Sequence, residues 1–132
     1  MHFLLDTHIL LWALYDPEKL PKDIITVLED EDSDIEYSIV SLWELEIKHD
    51  KYGEEFAIRA EDVHRDAQVA GLHMMKLEPE HISTLGRLNK PKKKHKDPFD
   101  RMLLAQSKWN NVYLLTHDRV LTLYEEESVQ YF

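Results

Sequence analysis

Short apolar runs of strand type alternate with stretches of helical periodicity along nearly all of this 132-residue chain. That alternation constrains the fold more than any other feature. Parallel strands need helical crossovers, and the crossovers then cover the sheet on both faces. Phe3-Leu4-Leu5 suits a buried strand and ends at Asp6. Leu10, Leu11 and Leu14 then recur at helical spacing until Asp16-Pro17 stops the pattern. Ile24, Ile25 and Leu28 mark a helix over 22–31, and the β-branched and aromatic residues of 35–40 mark a strand. Ser41 opens a helix that Gly53 breaks, residues 54–70 read as helical, 72–77 as a strand, and 79–89 as helical after Pro79. Pro98 begins a helix with Met102, Leu103, Leu104 and Ala105 on its apolar side. A strand over 112–115, a short helix over 119–124 and an edge strand over 129–132 complete the pattern. The expectation is a single α/β domain over 1–132, with a mainly parallel central sheet of four to five strands.

Composition agrees with a folded domain, at 43% hydrophobic and 32% charged residues. No window approaches the ~18 apolar residues of a membrane span, and Met1-His2-Phe3 lacks the basic start of a secretory signal. The absence of cysteine removes disulfides and thiolate ligands and fits a reducing, cytoplasmic setting. A net charge of −10 argues at first against a nucleic-acid partner. The charge is uneven, however. Glu29, Asp30, Glu31, Asp32, Asp34 and Glu36 crowd one segment, whereas Lys90, Lys92, Lys93, Lys94 and Lys96 make a basic strip in another.

In a parallel sheet, ligands bind beyond the carboxyl ends of the strands. Asp6 follows the first strand, Glu44 lies in the first turn of the helix after the second, and Asp118 follows the fourth. Asp100 lies in the first turn of the helix that feeds the fourth strand. Each acid also has a plain structural reading. Ser41-Leu42-Trp43-Glu44 is a capping box, Asp97-Pro98-Phe99-Asp100 is a helix start, Asp118 can cap a helix, and Asp6 can be a turn residue. On one rim the four would repel one another unless a proton or cation intervened. Oxygen-only ligands suit Mg²⁺ or Mn²⁺.

The segments Phe3-Leu4-Leu5-Asp6-Thr7-His8-Ile9-Leu10-Leu11-Trp12 and Ser41-Leu42-Trp43-Glu44-Leu45-Glu46-Ile47-Lys48 resemble PIN-domain proteins of the VapC toxin type. So do His95-Lys96-Asp97-Pro98-Phe99-Asp100-Arg101-Met102-Leu103-Leu104-Ala105-Gln106 and Leu114-Leu115-Thr116-His117-Asp118. The resemblance implies an α/β/α sandwich and Mg²⁺- or Mn²⁺-dependent endoribonuclease activity. It also implies neutralisation by a small VapB-like antitoxin, and a homodimer. By position, Asp6, Glu44, Asp100 and Asp118 match the family's acidic cluster, and Asp97 matches an extra acid of one subgroup. Asp97 would then either join the metal site or only cap its helix. Thr116 matches a polar supporting position, and Thr7 lies beside Asp6; either hydroxyl could hold a carboxylate or a metal-bound water. On this reading Asp6, Asp100 and Asp118 hold the ion, and Glu44 orients or deprotonates the attacking water.

Lys92, Lys93, Lys94 and Lys96 would grip RNA phosphates beside the acids, or else form a solvated loop. The eight histidines make no HExxH pair or tight metal spacing, though His8 and His117 adjoin proposed acids and could touch RNA. Trp12, Trp43 and Trp109 are expected in the core by default. Two other classes compete. A non-catalytic scaffold of the same fold would bind RNA or protein, but here all four acids remain. A phosphoaspartyl domain would also carry an Asp after its first strand, yet Asp6-Thr7-His8 lacks a second Asp two residues on.

Overall fold

The computed structural model describes residues 1–91 and 97–132. Among these residues there are five strands: β1 (His2–Leu5), β2 (Asp34–Ser38), β3 (His73–Met75), β4 (Tyr113–Thr116) and β5 (Val129–Tyr131). They form one sheet in the order β3-β2-β1-β4-β5, and every pairing is parallel. The helices are α1 (Thr7–Tyr15), α2 (Lys22–Glu29), α3 (Ile39–Tyr52), α4 (Ala60–Val69), α5 (Pro79–Thr84) and α6 (Pro98–Asn110). The expected α/β architecture is therefore the observed one, a five-stranded parallel sheet flanked by helices.

Alternation along the strands explains why their sequences are apolar throughout. Phe3 and Leu5 of β1, Ile35 and Tyr37 of β2 and Leu115 of β4 pack on one face with Ile9, Leu10, Ile24, Val63 and Ala67. Leu4 and Leu114 point to the other face and meet Leu103 and Leu104 of α6. Both faces are buried, so no polar alternation remains to read.

Strand order also fixes where a ligand can enter. The chain moves outward from β1 to β2 and β3, then returns to place β4 on the opposite side of β1. Connections leave β1 and β4 in opposite directions, which opens a crevice at their carboxyl ends.

Several boundaries differ from expectation. β2 stops at Ser38, and Ile39 and Val40 belong to α3 despite their β-branched side chains. The cause is Ser38, whose Oγ accepts the Val40 N–H at 3.0 Å and starts the helix there. Ser41 is therefore not the N-cap, and Glu44 falls in the second turn rather than the first. The expected helix over 54–70 divides into a 3₁₀ turn at Gly53–Phe56 and α4, while 79–89 becomes α5 and a 3₁₀ turn at Leu85–Arg87. The short helix at Arg119–Tyr124 is also 3₁₀. Trp43 and Trp109 are 59% and 50% exposed, so only the half-buried Trp12 contributes to the core. Among the described residues, no helix is long and apolar enough to cross a membrane. Lys92, Lys93, Lys94 and Lys96 lie outside the described residues.

Candidate active site

Asp6 occupies the crevice between β1 and β4. Its N–H donates to the Leu115 carbonyl at 3.0 Å, and its own carbonyl accepts the Leu10 N–H at 2.9 Å. The residue thus ends a strand and starts α1 at once, and only 3% of it is exposed. Its Oδ2 accepts the Thr116 hydroxyl at 2.6 Å. Burial pushes the carboxyl above its ordinary range, while Thr116 and then His8 pull it down.

Thr116 joins two of the acids. Its single hydroxyl proton goes to Asp6, and its oxygen accepts the Asp118 N–H at 2.9 Å. Asp118 in turn caps the 3₁₀ helix at Arg119–Tyr124 through a 2.9 Å bond from the Val120 N–H to Oδ1.

A parallel arrangement holds Glu44, which is 7% exposed. Thr7 Oγ1 donates to Glu44 Oε1 at 2.8 Å and lies 2.8 Å from Ser41 Oγ. An ionised Glu44 can only accept, so the Thr7 proton points to Glu44 and the Ser41 hydroxyl donates to Thr7. Lys48 Nζ sits 3.2 Å from Glu44 Oε2, one helical turn away.

Asp97 and Asp100 arrive on α6. Asp97 Oδ1 accepts the Phe99 and Asp100 N–H groups at 2.9 and 3.2 Å, with Pro98 at the first helical position. Two contacts anchor α6 against the end of β2 and against α3. Ser38 Oγ donates to Gln106 Oε1 at 2.6 Å, and the Trp43 and Phe99 rings meet edge to face at 5.1 Å. The Asp100 carboxyl is pushed up to about 8, first by burial and then by Asp97, Asp6, Glu44 and Asp118. These four acids thus add to the effect of burial on Asp100.

The donor set is oxygen only and strongly anionic, which fits a hard divalent cation. Among the described residues, no three Asp, Glu or His side chains are gathered closely enough to hold one ion between them. Mg²⁺ commonly takes one or two carboxylates and keeps several waters, so a looser set remains compatible with it.

Asp97 has a structural role independent of any ion. Asp97→Ala is expected to destabilise the protein by about 1 kcal/mol, whereas Asn, an equally good cap, should change stability little. Urea denaturation of the two variants measures the difference; equal losses would contradict the cap.

The sequence reading missed Ser41 and Lys48 as neighbours of Glu44. Their spacings of three and four residues placed them on its face of a helix, but the capping-box pattern assigned Ser41 to the backbone.

An all-parallel α/β sandwich with acids crowded at its switch point is the class that this fold and site define. The chain belongs to the PIN domain family, whose sequence model matches residues 3–126. Solved structures share the fold at low identity. VapBC2 from Rickettsia felis, bound to a promoter DNA fragment, is 15% identical with a TM-score of 0.70, over 100% of this chain and 99% of that one. VapBC-1 from nontypeable Haemophilus influenzae is 14% identical with a TM-score of 0.66, over 100% and 97%. FitAB bound to an IR36 DNA fragment gives 14% and 0.65, over 98% and 94%. No curated protein matches the chain in sequence.

Proposed function

We propose that this protein is a divalent-metal-dependent endoribonuclease that acts as a toxin and is neutralised by a VapB-like antitoxin. The observation that carries the reading is the buried Asp6 at the β1–β4 crevice together with the Asp100 carboxyl, which burial and then Asp97, Asp6, Glu44 and Asp118 push up. Membership of the PIN domain family supports nuclease chemistry, and the VapBC and FitAB neighbours support the toxin role. A homodimer in the cytoplasm belongs to the same reading.

Asp6, Asp100 and Asp118 would hold Mg²⁺ or Mn²⁺, directly or through water, with Asp97 a further candidate. Such an ion, when bound, supplies Lewis-acid stabilisation of charge on the phosphoryl oxygens. The protein's own groups do the rest. Thr116 fixes the orientation of Asp6 and the start of the Asp118 turn together. Thr7 fixes Glu44, which orients the attacking water or accepts its proton as the phosphorus–oxygen bond to the leaving nucleotide breaks. Lys92, Lys93, Lys94 and Lys96 immediately precede the acids of α6 in sequence and would contact the RNA backbone.

Incubation of purified protein with RNA, with and without chelator, tests the reading. Cleavage should appear with Mg²⁺ or Mn²⁺, and sequencing of the new ends should locate the cuts. Cleavage that persists unchanged in chelator would overturn it. Thr116→Val should lower cation affinity or cleavage by about 10- to 100-fold without unfolding the protein, and Thr116→Ser should recover most of that loss. Equal activity in all three proteins would remove Thr116 from the positioning machinery.

A further inference from the structure

One side of the acidic crevice carries a run of rings that the hydrolytic chemistry does not use. His8 and Trp12 lie one turn apart on α1, with ring centroids 6.3 Å apart. Trp12 lies 5.9 Å from His117, which in turn is nearly parallel to Tyr131, at 5.7 Å and 6°. Arg119 closes the run. Its Cζ is 5.9 Å from the centre of the Tyr131 ring, and its Nε donates to the Tyr131 hydroxyl at 3.1 Å.

Sequence and strand register place this run beside the acids. His8 is two residues beyond Asp6, and His117 and Arg119 flank Asp118 on either side. Tyr131 is the register partner of Thr116, whose hydroxyl holds Asp6. All but Trp12 are exposed, and Trp12 is partly so.

We propose that His8, Trp12, His117, Tyr131 and Arg119 form a platform on which unpaired RNA bases stack as the strand enters the acidic crevice. The inference rests on the ribonuclease reading above, which supplies the RNA. Aromatic rings interleaved with a guanidinium accept any base face, so the platform binds single strands with little sequence preference. A duplex keeps its bases stacked inside and cannot use it. The chemistry also separates this surface from one made for an apolar polypeptide. The run is built of imidazole, indole, phenol and guanidinium groups, whereas exposed Trp43 on α3 is flanked one turn away on each side by exposed Ile39 and Ile47. In a chain of net charge −10, the Arg119 guanidinium beside the site also softens repulsion of phosphate.

The test uses a single-stranded RNA octamer carrying 2-aminopurine, with the Asp6→Asn protein in Mg²⁺ so that binding is read without turnover. Adding the protein should quench the fluorescent base further, whereas the already low fluorescence of the same octamer in a duplex should not change when the protein is added. Adding Tyr131→Ala should raise Kd by about 5- to 100-fold and abolish most of the quenching, while Tyr131→Phe should stay near the parent value. Arg119→Ala, at an exposed position, covers the case in which loss of the ring loosens β5, and it should weaken binding in the same direction. In the protein with Asp6 intact, Tyr131→Ala should raise KM far more than it lowers kcat. Cleavage by the intact protein together with an unchanged Kd in both alanine variants overturns the platform alone. Quenching that depends on Tyr131, without cleavage in either metal, overturns the ribonuclease reading and supports the platform as an RNA surface. An octamer that is never quenched overturns the platform.

Discussion

Asp6→Asn is expected to lose at least about 100-fold in RNA cleavage while keeping the fold, because it removes a charge and almost no volume. Asn retains a carbonyl oxygen able to accept the Thr116 hydroxyl that now reaches Oδ2 at 2.6 Å. It also keeps the backbone bonds to Leu115 and Leu10 that end β1 and start α1. Burial already makes the charged form of Asp6 unfavourable, so its removal should leave thermal stability equal or slightly higher. Initial rates and melting temperatures of the two proteins measured side by side decide the matter. Full activity in the Asn protein would overturn the assignment. Lost activity with a large fall in melting temperature would mean that Asp6 serves the fold.

Asp100→Asn should separate stability from activity more sharply than Asp6→Asn. The Asp100 carboxyl is pushed up to about 8 from an ordinary 3.8. A folded-state pKa raised above that of the unfolded chain means that the native protein holds this proton more tightly. Stability from this group is therefore fully present below about pH 4 and is lost as pH rises to about 8. Asn removes that loss. In chelator at pH 8 the variant should be more stable by about 1–3 kcal/mol, after allowance for partial solvent screening. For a chain of this length that is roughly 3–10 °C in melting temperature. The advantage should shrink steadily toward pH 5 and level off above pH 8. Cleavage should nevertheless be lost, and Mg²⁺ affinity of the unsubstituted protein should rise with pH over the same range as the proton leaves. A variant no more stable at pH 8 than at pH 5 would mean that the carboxylates do not crowd Asp100.

The layout of the site was legible because two of its acids sit where strands end. Phe3-Leu4-Leu5 announces a strand buried on both faces, and the next residue must then lie at its carboxyl edge. The same reasoning placed Asp118. Glu44 was assigned to the right helix but the wrong turn, since Ile39 and Val40 look like strand residues until Ser38 is seen to cap them. What sequence alone could not give was the pairing between distant hydroxyls and acids. Thr116 to Asp6 and Thr7 to Glu44 span 110 and 37 residues, and no local periodicity reports such bonds. Trp43 was misread for a related reason. Size and apolarity favour burial on average, but α3 turns that position outward, against only Phe99 among the aromatic residues described.

The central position of β1 has a consequence in time. β1 precedes the other strands of its sheet in the chain, yet it is completed on one side by β4, more than a hundred residues later, through the pairing of Phe3 with Tyr113. Contacts so far apart in sequence form slowly and late in folding. Asp6 waits for Thr116 and Asp118 to arrive with the same strand. The β1–β4 crevice therefore takes shape only after β4 has paired with β1. That order of assembly ties the candidate site to the longest-range pairing of the sheet, so it is expected to be among the last parts of the molecule to become ordered.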